Sequence, residues 1–355
     1  MESLGAGGAS AAVSMAQLPE MYGHSRKVYA LEYNVNGMLL ASGSNDKTIR
    51  IWFVDSNQEP NELRGHTDSI HSLAWDPTNP LRLASTGADK TVRIWDVKTC
   101  KIAHSISLQS EALNIVYSYD GKYIAVSNLD CVTLIDTRKN RVVRRVINPY
   151  EVNEVQFSKS GFLFVAAGHP AGYGTFEIMR IVPEKKGNPN LENVHKVGLQ
   201  GAKAIAVWYL ANSRYVYNRV RWSPMPEAVS ASIFILLEGE LYVALGGIDS
   251  LVSIWDLEEL YCVRTFVVTT SSIRTVRFNH DGRFLAIGME DTTLIVVETE
   301  TGETAVTVAL QNVLQYLCWH PSKNILAYVG DKPGSDKNAN RDGVIKMIEI
   351  RDTVV

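Results

Sequence analysis

A seven-bladed, all-β propeller is the fold class that the sequence predicts, on three observations. Gly23-His24 recurs as Gly65-His66, 42 positions on, and the two pairs lead to Ile51-Trp52 and Ile94-Trp95, with a third such ending at Asp249 to Trp255-Asp256. Between these marks the pattern is strand-like, short β-rich runs separated by turn dipeptides. Seven units of about 42 residues occupy about 294 of the 355, which leaves a tail and insertions.

The units can be justified in order. In blade one, Val28 to Tyr33 and Met38 to Ser42 flank Asn36-Gly37, a dipeptide suited to a tight hairpin. Blade two has a longer Pro and Asn turn at Asp76 to Pro80, and blades three and four repeat the hairpin at Asp120-Gly121 and Ser160-Gly161. Blade five is placed by register. In blades one, three and six the strand before the turn ends (Tyr33, Tyr117, Phe278) 13 residues before an aspartate (Asp46, Asp130, Asp291), and counting back from Asp249 reaches Leu236. Ser232 to Leu237, Glu238-Gly239 and Leu241 to Leu245 therefore read as its hairpin, in preference to Tyr215 to Trp222. Gly198 to Ala231 is left as an atypical insertion without a blade role, longer than ordinary connections.

Blade six turns at Asp281-Gly282. Blade seven turns at His320 to Asn324, then carries a polar loop at 331–342 before a strand at Val344 to Ile350. Too few residues follow for another strand, so Ala16 to Met21 is expected to supply the outermost strand of the last blade and close the ring. Residues 1–14, rich in Gly, Ala and Ser, read as a disordered tail, and 15–355 as a single propeller domain.

Gly-His and Trp-Asp marks at this period are the signature of WD40 repeats. Each of the first two units holds a Ser, His, Asp and Trp set: Ser42, His24, Asp46 and Trp52, then Ser85, His66, Asp89 and Trp95, with Asp249 and Trp255 as a partial third. Nucleophile, base and orienting carboxylate are the ingredients of a hydrolase triad. Duplication in adjacent repeats instead predicts structural tetrads, in which indole, hydroxyl, imidazole and carboxylate satisfy one another. No catalytic residue, metal site or cofactor is therefore expected. His71, His104, His169, His195, His280 and His320 are scattered, and Gly168 to Gly174 lacks the helix of a phosphate loop.

Composition narrows the function further. With 35 basic and 38 acidic side chains the net charge is −3, which argues against a strongly basic nucleic-acid-binding domain. The local run from Arg138 to Arg145 alternates with Val142, Val143 and Val146 and reads as the solvated face of a blade-three hairpin, with an RNA-facing patch as the other reading. Cys100, Cys131, Cys262 and Cys318 form neither a zinc ribbon nor a disulfide framework. The longest apolar run, Ala204 to Ala211, is far short of a membrane span. A soluble, reduced, intracellular protein without a membrane or small-molecule partner is expected.

Beyond these generic marks, five stretches resemble the THO complex subunit 3 family: Glu151 to Val155, Asp249 to Asp256, Cys262 to Phe266, Ile273 to Phe278 and Ala327 to Asp331. The likeness runs from about Gly23 to Ile350, with the blades in order. It implies a nuclear scaffold subunit that couples transcription to mRNA export, its partners being the large helical THO subunits and, through them, a DEAD-box RNA helicase and mRNA. The departure is Gly198 to Ala231, where the family's short Ala-His loop and Cys/Ile strand are absent, so that a surface loop or a translated intron is expected there. Loops expected to face partners hold Arg26, Lys27, Asn45, Lys47, Asp68, Lys90, Glu151, Asn153 and Glu154. A generic WD40 adaptor in ubiquitin ligation or chromatin, or a propeller enzyme with a channel site, are the alternatives.

Overall fold

The computed structural model describes residues 13–56, 58–149, 151–159, 161–168, 174–182, 188–199, 204–211, 240–247, 250–256, 261–267, 271, 273–311, 313–331 and 343–352. These form seven four-stranded antiparallel sheets. In blade one the order is Val28–Tyr33, Leu39–Ser44, Thr48–Phe53 and Asn61–Arg64, from the innermost strand outward. Innermost strands pack on those of the next blade, blade seven on blade one included, as expected for a seven-bladed propeller.

Position within the blade explains the composition of each strand. Leu39–Ser44 is buried along its whole length, because a second strand is covered on both faces by neighbouring blades, and small or apolar residues fill it. The fourth strand of blade two, Lys101–Ser107, buries only Ile106 and can afford Lys101, His104 and Ser105. The core accordingly lies between blades. Ile49, Ile51, Ile70 and Leu83 join blades one and two, and Tyr33, Leu40, Ala327 and Met347 join blades one and seven.

Every innermost strand carries one register shift near its start, at Val28/Ala30, Ile70/Ser72, Ala112/Asn114, Val152/Glu154, Ala204/Ala206, Ile273/Thr275 and Leu314/Tyr316. Such a bulge bends and twists the strand and re-aims its side chains. Its recurrence marks equivalent positions around the channel.

Val13–Met21 pairs antiparallel with Ile345–Asp352, with Ala16 opposite Glu349, as the fourth strand of the last sheet. This is the pairing expected for a ring closed by the N-terminal strand. It begins at Val13, so Val13 and Ser14 belong to the sheet and not to the tail; residues 1–12 lie outside the described residues.

Blade five corrects the sequence reading. Its innermost strand is Ala204–Ala211, paired with Glu240–Gly247 (Trp208 opposite Ala244), and Gly198 already belongs to the fourth strand of blade four, Asn190–Leu199. Part of 198–231 thus has a blade role. Counting back from Asp249 assumed a short hairpin, whereas residues 212–239 separate these two strands, so the count stopped inside the connection. Ser232 to Leu237 and Tyr215 to Trp222 lie outside the described residues, as does most of the 331–342 loop.

Candidate functional site

The first two blades bring their Ser, His, Asp and Trp together. His24 Nε2 lies 2.7 Å from Ser42 Oγ and its Nδ1 2.8 Å from Asp46 Oδ2, while the Trp52 indole N–H donates to Ser42 Oγ at 2.8 Å. In blade two the corresponding distances are 2.6 Å from His66 to Ser85, 2.7 Å to Asp89 and 2.8 Å from Trp95 to Ser85. Each chain of bonds ties the loop entering a blade to the turn between its second and third strands. Gly23 and Gly65 leave room for this, since a Cβ would lie 3.1 Å from Trp52 and 3.0 Å from Trp95.

Asp46 and Asp89 use both oxygens. Asp46 Oδ2 also accepts the Ser25 N–H, and its Oδ1 accepts the Thr48 N–H and hydroxyl. Burial pushes both carboxyls upward, but hydrogen bonds and charge from His24 or His66, with those from Thr48 or Thr91, outweigh it and hold each well below the usual carboxylate range. The next residues, Lys47 (φ 71°) and Lys90 (φ 59°), adopt the left-handed conformation that the braced turn requires of a non-glycine. Ser42 and Ser85 are completely buried, 0% exposed.

The third set differs. Trp255 donates to Ser253 Oγ on its own strand at 2.8 Å, and Asp249 lies outside the described residues. Of the loop residues, Arg26, Lys47, Asp68 and Lys90 are exposed and Lys27 and Asn45 half-buried, on the face that carries the tetrads. Lys47 donates to the Thr67 carbonyl at 2.7 Å, and Asn45 accepts from Ser69 Oγ at 2.5 Å. Glu151 and Asn153 lie on the innermost strand of blade four, Glu151–Phe157.

Glu154 is a correction, because it is buried and not a rim residue. The bulge beside it turns its carboxylate into the channel, where it accepts from Arg277 Nη1 of blade six at 2.9 Å. Arg277 Nη2 donates to the Tyr316 hydroxyl of blade seven at 2.8 Å. Glu32 of blade one completes this polar layer. Burial raises its carboxyl to about 7, against the opposing charge of Arg277. A cavity of about 150 Å³ opens beside Glu32, Gln156, Arg277 and Tyr316. Indoles stitch adjacent blades beneath it, Trp75 donating to the Glu32 carbonyl and Trp319 to that of Arg277, each at 2.9 Å. Only equivalence among the innermost strands could have signalled Glu32 and Arg277, which occupy the same place in their repeats, each four residues after the start of the bulge.

Seven four-stranded sheets with two braced tetrads define a WD40 β-propeller. The model of the WD domain, G-beta repeat, matches residues 15–52 and 57–96, and that of the anaphase-promoting complex subunit 4 WD40 domain matches 253–322. The chain is 32% identical over 333 residues to THO complex subunit 3 of Arabidopsis thaliana, covering 92% of this chain and 94% of that protein. It is 28% identical over 364 residues to WD repeat-containing protein AAC3 of Dictyostelium discoideum, covering 96% and 68%. Shorter likenesses include rat Coronin-7, 46% identical over 56 residues, 16% of this chain and 6% of that one. The chain belongs to the THO complex subunit 3 family.

Proposed function

We propose that this protein is a non-catalytic scaffold subunit of a nuclear THO complex, holding other subunits of that assembly around a rigid ring. The observation that carries the reading is the 32% identity to THO complex subunit 3 across 92% of the chain. The site chemistry agrees with it. The tetrad serines are sealed from solvent, and their hydroxyls already accept an indole N–H. A ring whose turns all end on two faces presents several separate contact surfaces, which suits assembly better than turnover. The large helical THO subunits are the direct partners, and a DEAD-box RNA helicase and mRNA are reached through them.

Affinity purification of the tagged full chain from nuclear extract, read by mass spectrometry, tests the proposal. THO subunits should be recovered in stoichiometric amounts. Recovery of ubiquitin-ligase or chromatin subunits in their place would overturn it, as would a turnover activity of the purified chain.

A further inference from the structure

The face opposite the tetrads carries the turns between first and second strands, and in blades one to four these turns touch one another in sequence. Asn34 donates to the Pro80 carbonyl at 3.2 Å. Gly121 sits so close to blade two that a Cβ there would lie 2.9 Å from Thr78 Oγ1. Lys159 Nζ stands 5.6 Å from the centre of the Tyr119 ring.

Along this continuous arc the apolar side chains point outward. Val35 is 51% exposed, Met38 64%, Leu81 41% and Tyr119 54%. Single exposed apolar residues are ordinary, but a run of them over three adjoining turns marks an interaction surface. The arc borders the channel mouth, a cavity of about 360 Å³ lined in part by Val35, Pro77 and Lys159.

In the turns of blades two to four, exposed cations outnumber exposed carboxylates, although the chain as a whole is −3. Arg82, Lys98, Lys122, Arg138, Lys139 and Lys159 are all exposed in the turns of blades two to four. Some of the opposing charge is turned inward, while Asp120 is half exposed and pairs with Lys122 at 2.8 Å, and Asp55 and Glu59 are exposed in blade one. Asp76 and Asp136 are buried and accept backbone N–H groups, Asp76 from Thr78 and Asp136 from Arg138 and Lys139. The surface therefore offers aliphatic and aromatic contact flanked on blades two to four by cations.

We infer that this arc, from Met38 through Leu81 to Tyr119, docks an acidic polypeptide segment of a partner that anchors itself by apolar side chains. Val35, Met38 and Leu81 decide for a polypeptide, since aliphatic groups give a nucleotide base no face to stack on, whereas the cations alone would serve phosphates equally well. Complementary charge around an apolar centre would set orientation and association rate, with the apolar anchors supplying affinity. The inference rests on the scaffold reading only in taking the partner to be a protein.

The test uses the full chain in cells, with a photo-crosslinking amino acid at Met38 or Leu81, and at Thr301 on the same face of blade six as a control. Crosslinks from Met38 and Leu81, mapped by mass spectrometry, should fall on one polypeptide segment with an excess of Asp and Glu around Leu, Ile or Phe. They should drop at least tenfold in Lys122→Glu/Lys139→Glu and in Tyr119→Ser, whose folding is checked by an unchanged melting curve. Crosslinks to RNA, to a basic or uncharged segment, or at no more than the Thr301 level would overturn the inference. Co-purification of THO subunits, scored in the same samples, is a separate readout. Its loss with the acidic crosslink intact would defeat the scaffold reading alone, and its retention with no crosslink would defeat the docking arc alone.

Discussion

Arg277 and Glu154 lie 123 residues apart in the sequence, yet Nη1 and Oε1 meet at 2.9 Å across the channel, joining blade six to blade four past blade five. Both side chains are more than nine-tenths buried, so each charge depends on the other for the solvation it has lost. Glu154→Gln should cost about 3–5 kcal/mol, because it removes the carboxylate that pairs with the buried guanidinium and leaves Arg277 to Tyr316 and Glu32. Arg277→Met/Glu154→Gln should lose less than the sum of the single changes. Urea unfolding of the four proteins completes the cycle, and additive costs would show that the pair is not coupled.

Glu32 gives the same layer a pH dependence. Its carboxyl is raised to about 7 in the fold by burial, with Arg277 opposing, against about 4 in the unfolded chain. The folded state then binds the proton more tightly, so stability is fully present below about pH 4 and declines as pH rises through 7. Glu32→Gln removes that loss. The variant's urea midpoint should gain on the wild type from pH 5 to about pH 7 and level off above it, where both states have lost the proton; a constant difference from pH 5 to about pH 7 would mean that Glu32 does not titrate in this interval.

In the tetrads the sign is reversed. Asp89 is held below its ordinary value, so its contribution is present above about pH 4 and is lost as pH falls through the folded value. The stability gap between wild type and Asp89→Asn should narrow as pH drops below 4. His66→Ala, which leaves Ser85 and Asp89 without their shared partner, should cost about 1–3 kcal/mol at neutral pH. An unaltered melting curve would count against the bracing role.

Why these tetrads were legible while the Arg277 layer was not follows from range. Gly-His, Ser, Asp and Trp recur at fixed local spacing within a repeat, and two copies reveal the pattern together. The channel contacts join single residues on different blades, and nothing near Arg277 in sequence points to Glu154. Glu154 misled because the family-like stretch at Glu151 to Val155 reads as a loop, whereas a bulge at Val152/Glu154 turns one side chain inward. Trp255 misled because Ser253, its hydrogen-bond partner, lies outside the pattern found in the other two blades. The exposed arc was hidden for another reason: Met38 and Leu81 each stand just before the second strand of their blade, but blade three has Lys122 at that place and its apolar side chain, Tyr119, three residues earlier, so no repeated apolar mark shows in the sequence.

Val13–Met21 should matter to stability out of proportion to its burial. It is the fourth strand of the last sheet, and removing it uncovers the hydrogen-bonding edge of Ile345–Asp352. A chain starting at Gly23 should melt at lower temperature and show faster amide exchange at Ile348 and Ile350. Melting identical to the full chain would mean that this strand holds nothing together.

Blade five supplies the most direct check on how the chain is divided. If Gly198 to Ala231 were an insertion, all of it could be exchanged for a short Gly/Ser link at little cost, since loop-closure entropy grows only logarithmically with length. The fold argues otherwise for one part of it. Ala204–Ala211 carries the same early register shift as the other six innermost strands, pairs with Glu240–Gly247 and packs beside the innermost strands of blades four and six. Deleting 204–211 would leave Glu240–Gly247 with one unpaired edge facing the channel and would separate its neighbours in the ring. The expected outcome is insoluble protein, or a chain cut rapidly by protease within 240–267. A soluble deletion variant with an unchanged urea midpoint would show that the innermost strand of this blade comes from elsewhere in the chain.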